Sequence, residues 1–243
     1  MPIFRYFSNG VFLDDFLEIG LLYFNSLSFF LDCEDAERKD PFEDVSVFAP
    51  KQGLEINRNA SRTPIRLDSQ FTSAVKNPHR IFIYCTSISR SSLLTQKFSA
   101  TSIVRINDID EFVRRIKKQL NNPLRRISER QFLHGPVHYY DYEVPPGIRW
   151  ALPNEIVLSK TSNFSIEQEY RFAFSLDHNS FAPYNVDTTI GPKVHKLKKQ
   201  NNHRILRIGN LRDICEVLNP NEANWNSSYS KLKKNPHCWR SFL

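Results

Sequence analysis

Apolar positions along this chain fall into two rhythms, one close to period two and one close to 3.6, separated by polar breaks. Ile3 to Phe7 is a short apolar and aromatic run that predicts a first strand. Ser8-Asn9-Gly10 then offers a cap, Leu13, Phe16 and Leu17 follow at helical spacing, and Gly20 marks the end. Leu21 to Phe30 reads as a second strand. Asp32 to Asp44, a mixed-charge run with Pro41 and no apolar periodicity, reads as a solvated loop. Val45 to Phe48 and Leu54 to Asn57 suggest a hairpin around Pro50 and Gly53, and Arg80 to Tyr84 a buried strand.

Ser89 to Phe98 suits a short helix and Ser102 to Ile106 a strand. Asp108 then opens an amphipathic helix, with Glu111 completing a capping box. Ile109, Phe112, Val113, Ile116 and Leu120 make its inner face, while Arg114, Arg115, Lys117 and Lys118 lie outside. Asn121-Asn122-Pro123 breaks it, Pro145-Pro146-Gly147 is a turn, and Ile156 to Leu158 and Tyr170 to Phe174 read as later strands. Without an internal repeat or a low-complexity linker, the pattern predicts one α+β domain over 1–190 with an extension, 191–243, packed on it.

Composition narrows the class. With 243 residues, 40% hydrophobic and 13% aromatic, the chain can bury a sizeable core. Its longest apolar stretches, such as Leu21 to Phe24 and Ile81 to Tyr84, fall far short of the roughly 20 residues of a membrane-spanning helix. The amino terminus lacks a leader pattern, and Cys33, Cys85, Cys215 and Cys238 are spaced neither as a zinc site nor as a disulfide framework. The expectation is a soluble cytoplasmic protein with no membrane partner and no metal.

The net charge of +7 is concentrated at the end: from Gly191 to Leu243 there are 11 Lys/Arg against 3 Asp/Glu, or +8, which leaves −1 before it. Such a segment attracts polyanions through counterion release, and it also suits solubility or an acidic partner protein.

Three features carry candidate chemistry. In Tyr84-Cys85-Thr86-Ser87-Ile88-Ser89 an apolar strand runs into a row of hydroxyls. Hydroxyls there cap a following helix or orient a catalytic group. Glu167-Gln168-Glu169 precedes a strand, and two carboxylates one residue apart in extended chain point the same way, as surface decoration or as a pair that divides labour. Arg5, inside the aromatic Phe4-Arg5-Tyr6-Phe7, needs an acid as partner, an edge position where its head reaches water, or a bound phosphate. The cluster Tyr139, Tyr140 and Tyr142 with His134 and His138 suits core packing or stacking on a ring.

In this order the three resemble the Arg-Ser-Glu class of mono-ADP-ribosyltransferases typified by cholera toxin and the clostridial Rho-modifying exoenzymes. The class has an arginine on its first strand, a Ser-Thr-Ser turn and a Glu-x-Glu loop; here these read Phe4-Arg5-Tyr6, Cys85-Thr86-Ser87 with Ser89, and Glu167-Gln168-Glu169. Cys85 departs from the pattern, since a thiol is a poor substitute for a hydroxyl, and this shifts the role to Thr86 or Ser87. Intervals of about 80 residues exceed those of the toxins and require insertions, for which Asp32 to Pro78 and Asn121 to Pro153 are candidates. A looser resemblance, to bacterial proteins with Gly-x-Leu-Tyr-Phe-x-Ser early and Glu-x-Glu-Tyr-Arg late, matches Gly20 to Ser26 and Glu167 to Arg171 and offers Ser26-Leu27-Ser28 as a competing hydroxyl motif.

The resemblance implies a split, mainly antiparallel β core flanked by helices, with NAD⁺ as co-substrate. It assigns Glu169, Glu167 and Arg5 to catalysis and Arg5, Tyr6, Thr86, Ser87 and Ser89 to NAD⁺ binding. The acceptor it implies is an RNA or DNA base or a protein arginine, in a toxin of a toxin–antitoxin or phage-defence system with an antitoxin protein as possible partner. The competing readings are a non-catalytic basic nucleic-acid-binding protein and an NAD⁺ glycohydrolase.

Overall fold

Alternation of large apolar side chains builds the centre of the molecule, described here from a computed structural model for residues 1–31, 40–56, 64–121, 131–147, 149–191 and 202–220. The central strand β7 (Ile81–Ser87) sends Phe82 and Tyr84 to one face and Ile81 and Ile83 to the other, all buried. Beside it β12 (Glu169–Ser175) does the same, with Tyr170, Phe172 and Phe174 on the first face and Ala173 on the second. Their antiparallel ladder is continuous from Glu169↔Ser87 to Ser175↔Ile81, and β9 (Phe132–Pro136) pairs on the outer side of β12.

The other edge of β7 is divided between two strands. β2 (Leu21–Ser26) pairs at its beginning, through Asn25↔Ile83 and Ser26↔Phe82, and β1 (Ile3–Phe7) at its end, through Phe4↔Ser87. Between these contacts, at Tyr84 to Thr86, β1 and β2 part and the sheet forks. One branch continues from β2 to β14 (His203–Arg207), the other from β1 through β8 (Ser102–Ile106) to β15 (Cys215–Leu218). The molecule is therefore a mainly antiparallel sheet with few helices, and strands from beyond residue 190 complete both branches.

Helix α1 (Gly10–Ile19) joins β1 to β2: Asn9 accepts from the Val11 N–H at its start, and Gly20, at φ +60°, ends it. Together with α3 (Ile109–Leu120) it covers the first face, burying Phe16, Leu17, Phe112, Ile116 and Leu120 in one cluster. Asp108 caps α3 through the Glu111 N–H, whereas the Glu111 carboxylate is engaged by Arg114 and Arg115 rather than closing a reciprocal box. The short α2 (Ser92–Lys97) follows β7. The second face is covered by a small sheet of β3 (Val45–Phe48), β6 (Phe71–Val75) and β13 (Val186–Ile190), and by α4 (Pro153–Val157).

Four expectations are corrected. The second strand ends at Ser26, where a 3₁₀ turn over Leu27–Leu31 takes over. Val45–Phe48 and Leu54–Ile56 (β4) form no hairpin: β3 pairs with β6, and β4 with β5 (Ile65–Leu67), because each finds an apolar partner further along the chain. Ile156 to Leu158 is no strand, since Pro153 at the first helical position starts α4 and carries Ile156 and Val157 into the core on one helical face. Lastly, Asp40, Glu43 and Asp44 are fully buried, so this end of the expected solvated loop is interior; residues 32–39 lie outside the described residues.

Candidate active site

The fork leaves the backbone of β7 short of a partner, and Arg5 supplies one. Its Nη1 donates to the Cys85 carbonyl at 2.7 Å, and the guanidinium lies 4.9 Å from the Tyr84 ring centre. Nε of Arg5 is buried without a hydrogen-bond partner. A buried donor left without a partner beside a cleft suits an anionic ligand. The cleft opens where β1 and β2 diverge, has a volume of about 170 Å³, and is lined by Arg5, Tyr6, Thr86, Ser87, Glu167 and Glu169 together with residues that sequence reasoning did not single out.

The hydroxyl turn works through backbone contacts. The Ser87 Oγ donates toward the Glu167 and Ser89 carbonyls, 2.9 and 3.0 Å away, and accepts from the Ser89 N–H. Thr86 Oγ1 donates to the Tyr170 carbonyl, and the Tyr6 hydroxyl donates to Ser89 O while accepting from the Ser91 N–H. Ser87 thus ties the end of β7 to the acidic turn. Ser89 belongs to this scaffold by its main chain and does not line the cleft. Ser26 and Ser28 face each other at 3.1 Å in the interior, away from the cleft lining, so the competing hydroxyl motif is not part of this site. Burial raises the Cys85 thiol, and the nearby Glu169 carboxylate adds to the rise, which keeps the thiol protonated and unreactive.

The two glutamates converge, but by a route other than strand alternation. Glu167 ends a 3₁₀ turn (Ser162–Glu167), Gln168 takes a left-handed conformation at φ +42°, and Glu169 begins β12. Both carboxylates are buried and both meet Lys160 of β11 (Ser159–Thr161), whose Nζ lies 2.8 Å from Glu167 Oε2 and 2.8 Å from Glu169 Oε1. Lys97 at the end of α2 takes Glu167 Oε1 at 2.7 Å, and Arg171 Nε takes Glu169 Oε2 at 2.7 Å. All four carboxylate oxygens therefore have a cationic donor.

Arg171 and Glu43 form the floor. Fully buried, Arg171 donates Nη1 to the Val157 carbonyl at the end of α4, and its Nη2 stands 2.6 Å from Glu43 Oε1, a close contact whose angle lies outside hydrogen-bond geometry. Tyr139 of β10 (His138–Tyr140), a strand parallel to β11, accepts the Glu169 N–H at 2.8 Å; it braces the acid and contributes no stacking face to the cleft. Three side chains central to the site, Glu43, Lys160 and Arg171, had no chemical reading from sequence. Arg171 stood only as the last residue of Glu-x-Glu-Tyr-Arg, and Glu43 was hidden in a charge run.

Electrostatics separates the pair. Burial pushes Glu169 up, but Arg171 and Lys160 outweigh it and hold this carboxyl well below the usual range, so it is ionised. Glu167 moves upward through burial and the neighbouring Glu169. Burial lifts Glu43 to about 8 against the pull of Arg171 and Lys160. Lys160 loses by burial and gains more from Glu169 and Glu43, remaining protonated. Pairs whose environments drive their pKa values apart are suited to divided roles. Here Glu169 is a fixed negative charge, and Glu167 is the more basic partner.

Among the described residues no three His, Cys, Asp or Glu side chains are grouped to hold a metal ion, and no helix is long and apolar enough to cross a membrane. Compared with models of protein families, with curated proteins and with solved structures, the chain matches none.

Proposed function

We propose that this protein is an NAD⁺-dependent mono-ADP-ribosyltransferase whose active site is the cleft in the fork of the sheet. One observation carries the reading: Arg5, Ser87 and Glu169, far apart in sequence, line a single cleft, with Glu169 held ionised. Arg5, whose Nε has no partner, binds a phosphate of the co-substrate. Glu169 faces the ribose carbon as the bond to the nicotinamide nitrogen breaks, the electron pair leaving with nicotinamide. Its charge stabilises the positive charge that develops there, an effect commonly about 3–4 kcal/mol for one well-placed group. Glu167 takes the proton from the acceptor as the acceptor's lone pair forms the new bond to that carbon. Ser87 fixes the turn that carries both acids.

Purified protein is expected to release nicotinamide from NAD⁺ and to pass label to an acceptor in cell lysate or RNA. Glu169→Gln, of equal size and without the charge, is expected to lower release by at least about 100-fold. No release by the unmodified chain, or release untouched by Glu169→Gln, defeats the reading. Label recovered only as free ADP-ribose identifies a glycohydrolase using the same cleft.

A further inference from the structure

The mouth of the cleft carries side chains that bond breaking at the ribose does not use. Tyr23, part of the cleft lining, is 42% exposed, and Phe12, in the first turn of α1, is 53% exposed. The Phe12 ring meets Tyr23 with centroids 6.3 Å apart at 76°, and Tyr23 in turn lies 6.4 Å from the His203 imidazole at 43°. The three form a row from α1 across β2 to the edge strand β14. Aromatic rings left together at a surface are poorly hydrated and mark a place where a partner lies. Because they are splayed rather than parallel, they offer separate faces, which suits the unstacked bases of a single strand better than a stacked duplex.

Charge complements the rings. On β14, Arg207 lies on the same face as His203 and Tyr23, exposed and without an ion pair among the described residues; Arg204 points to the opposite face, 5.1 Å from the Phe82 ring centre. Asp15, one turn along α1 from Phe12, disfavours a phosphate on the helix side, which directs a backbone toward β14.

We infer that this row is a shelf for single-stranded nucleic acid. Bases stack on Phe12, Tyr23 and His203, the phosphates pass Arg207, and one base enters the cleft past Tyr23 as the acceptor. The role of acceptor rests on the transferase reading; binding at the shelf does not.

The test is a titration of the full chain, without NAD⁺, against fluorescent single-stranded RNA and DNA of about 20 nucleotides and the matching duplexes, followed by anisotropy at increasing salt. Single strands are expected to bind more tightly than duplexes, with affinity falling as salt rises. Phe12→Ala with Tyr23→Ala is expected to weaken binding about tenfold or more. Arg207→Ala, at a side chain with no polar partner among the described residues, is expected to reduce the salt dependence while melting like the parent chain. Absent single-strand binding, or binding indifferent to these substitutions, overturns the shelf. Labelling of an arginine-bearing polypeptide in preference to any oligonucleotide overturns the acceptor role. Nicotinamide release, measured in parallel, reports separately: its absence beside substitution-sensitive binding defeats the transferase and leaves the shelf standing.

Discussion

Lys160 decides the state of both acids. It is the one side chain among the described residues that donates to Glu167 and Glu169 together, and it is packed 4.6 Å from the Phe164 ring centre. Burying an ammonium is unfavourable unless anions surround it, and removing it strands those anions in turn. Lys160→Met is therefore expected to destabilise the fold by about 3–5 kcal/mol, measured by chemical denaturation, and Glu167→Gln in the same chain to recover part of the loss. Equal stability of Lys160→Met and the parent would show that the cluster is looser than described. At this scale the sequence was only partly legible. Glu167, Glu169, Arg5 and Ser87 announced themselves by residue type and local pattern, whereas the partners that set their ionisation come from β11, β12 and the segment before β3, and a lysine or glutamate bound for the interior reads in sequence like one bound for solvent.

Strands and helices were legible where the period was long and punctuated. β1, β8, β12 and α3 follow from alternation, caps and glycine, and Gly20 shows how one residue links two elements. It sits at φ +60°, and a Cβ there would meet the Gly209 carbonyl oxygen at 2.4 Å, where the chain returns to dock β14 on β2. Gly20→Ala is expected to cost more than about 2 kcal/mol, since the left-handed conformation alone costs roughly 1–2 kcal/mol for a residue with a Cβ and the backbone clash adds to it. A thermal melt checks this; an unchanged melting temperature would mean that the α1–β2 turn can shift freely. Elements failed to read where pairing is nonlocal. β3 and β4 look like two arms of a hairpin and pair with β6 and β5 instead, because which strand lies opposite depends on apolar faces that meet only in the folded chain.

Across the whole molecule, the buried charges join the main sheet to its smaller neighbour and make stability depend on pH. Glu43, raised from its ordinary 4.5 to about 8, contributes stability that is complete below 4.5 and is lost as pH rises through about 8. Glu169 is depressed, so its contribution is present above the ordinary carboxylate range and is lost as pH falls below it. Thermal melts are expected to decline from pH 5 to pH 9, and Glu43→Gln, which mimics the protonated acid, to flatten that decline while costing little at pH 6. A decline unchanged in Glu43→Gln would place the titration elsewhere. An α+β chain with enough apolar surface for a core, a basic end, strands at β1, β7 and β12, and the two glutamates can be read from the residues alone, because they follow from composition and from periods of two and 3.6 that act over a few residues. Folding was needed to show that β1 and β2 share one edge of β7, that the gap between them holds Arg5, and that Lys160, Arg171 and Glu43 meet the glutamates there. Those contacts join residues tens of positions apart, and their strength comes from a low-dielectric interior that exists only once the sheets have closed over it.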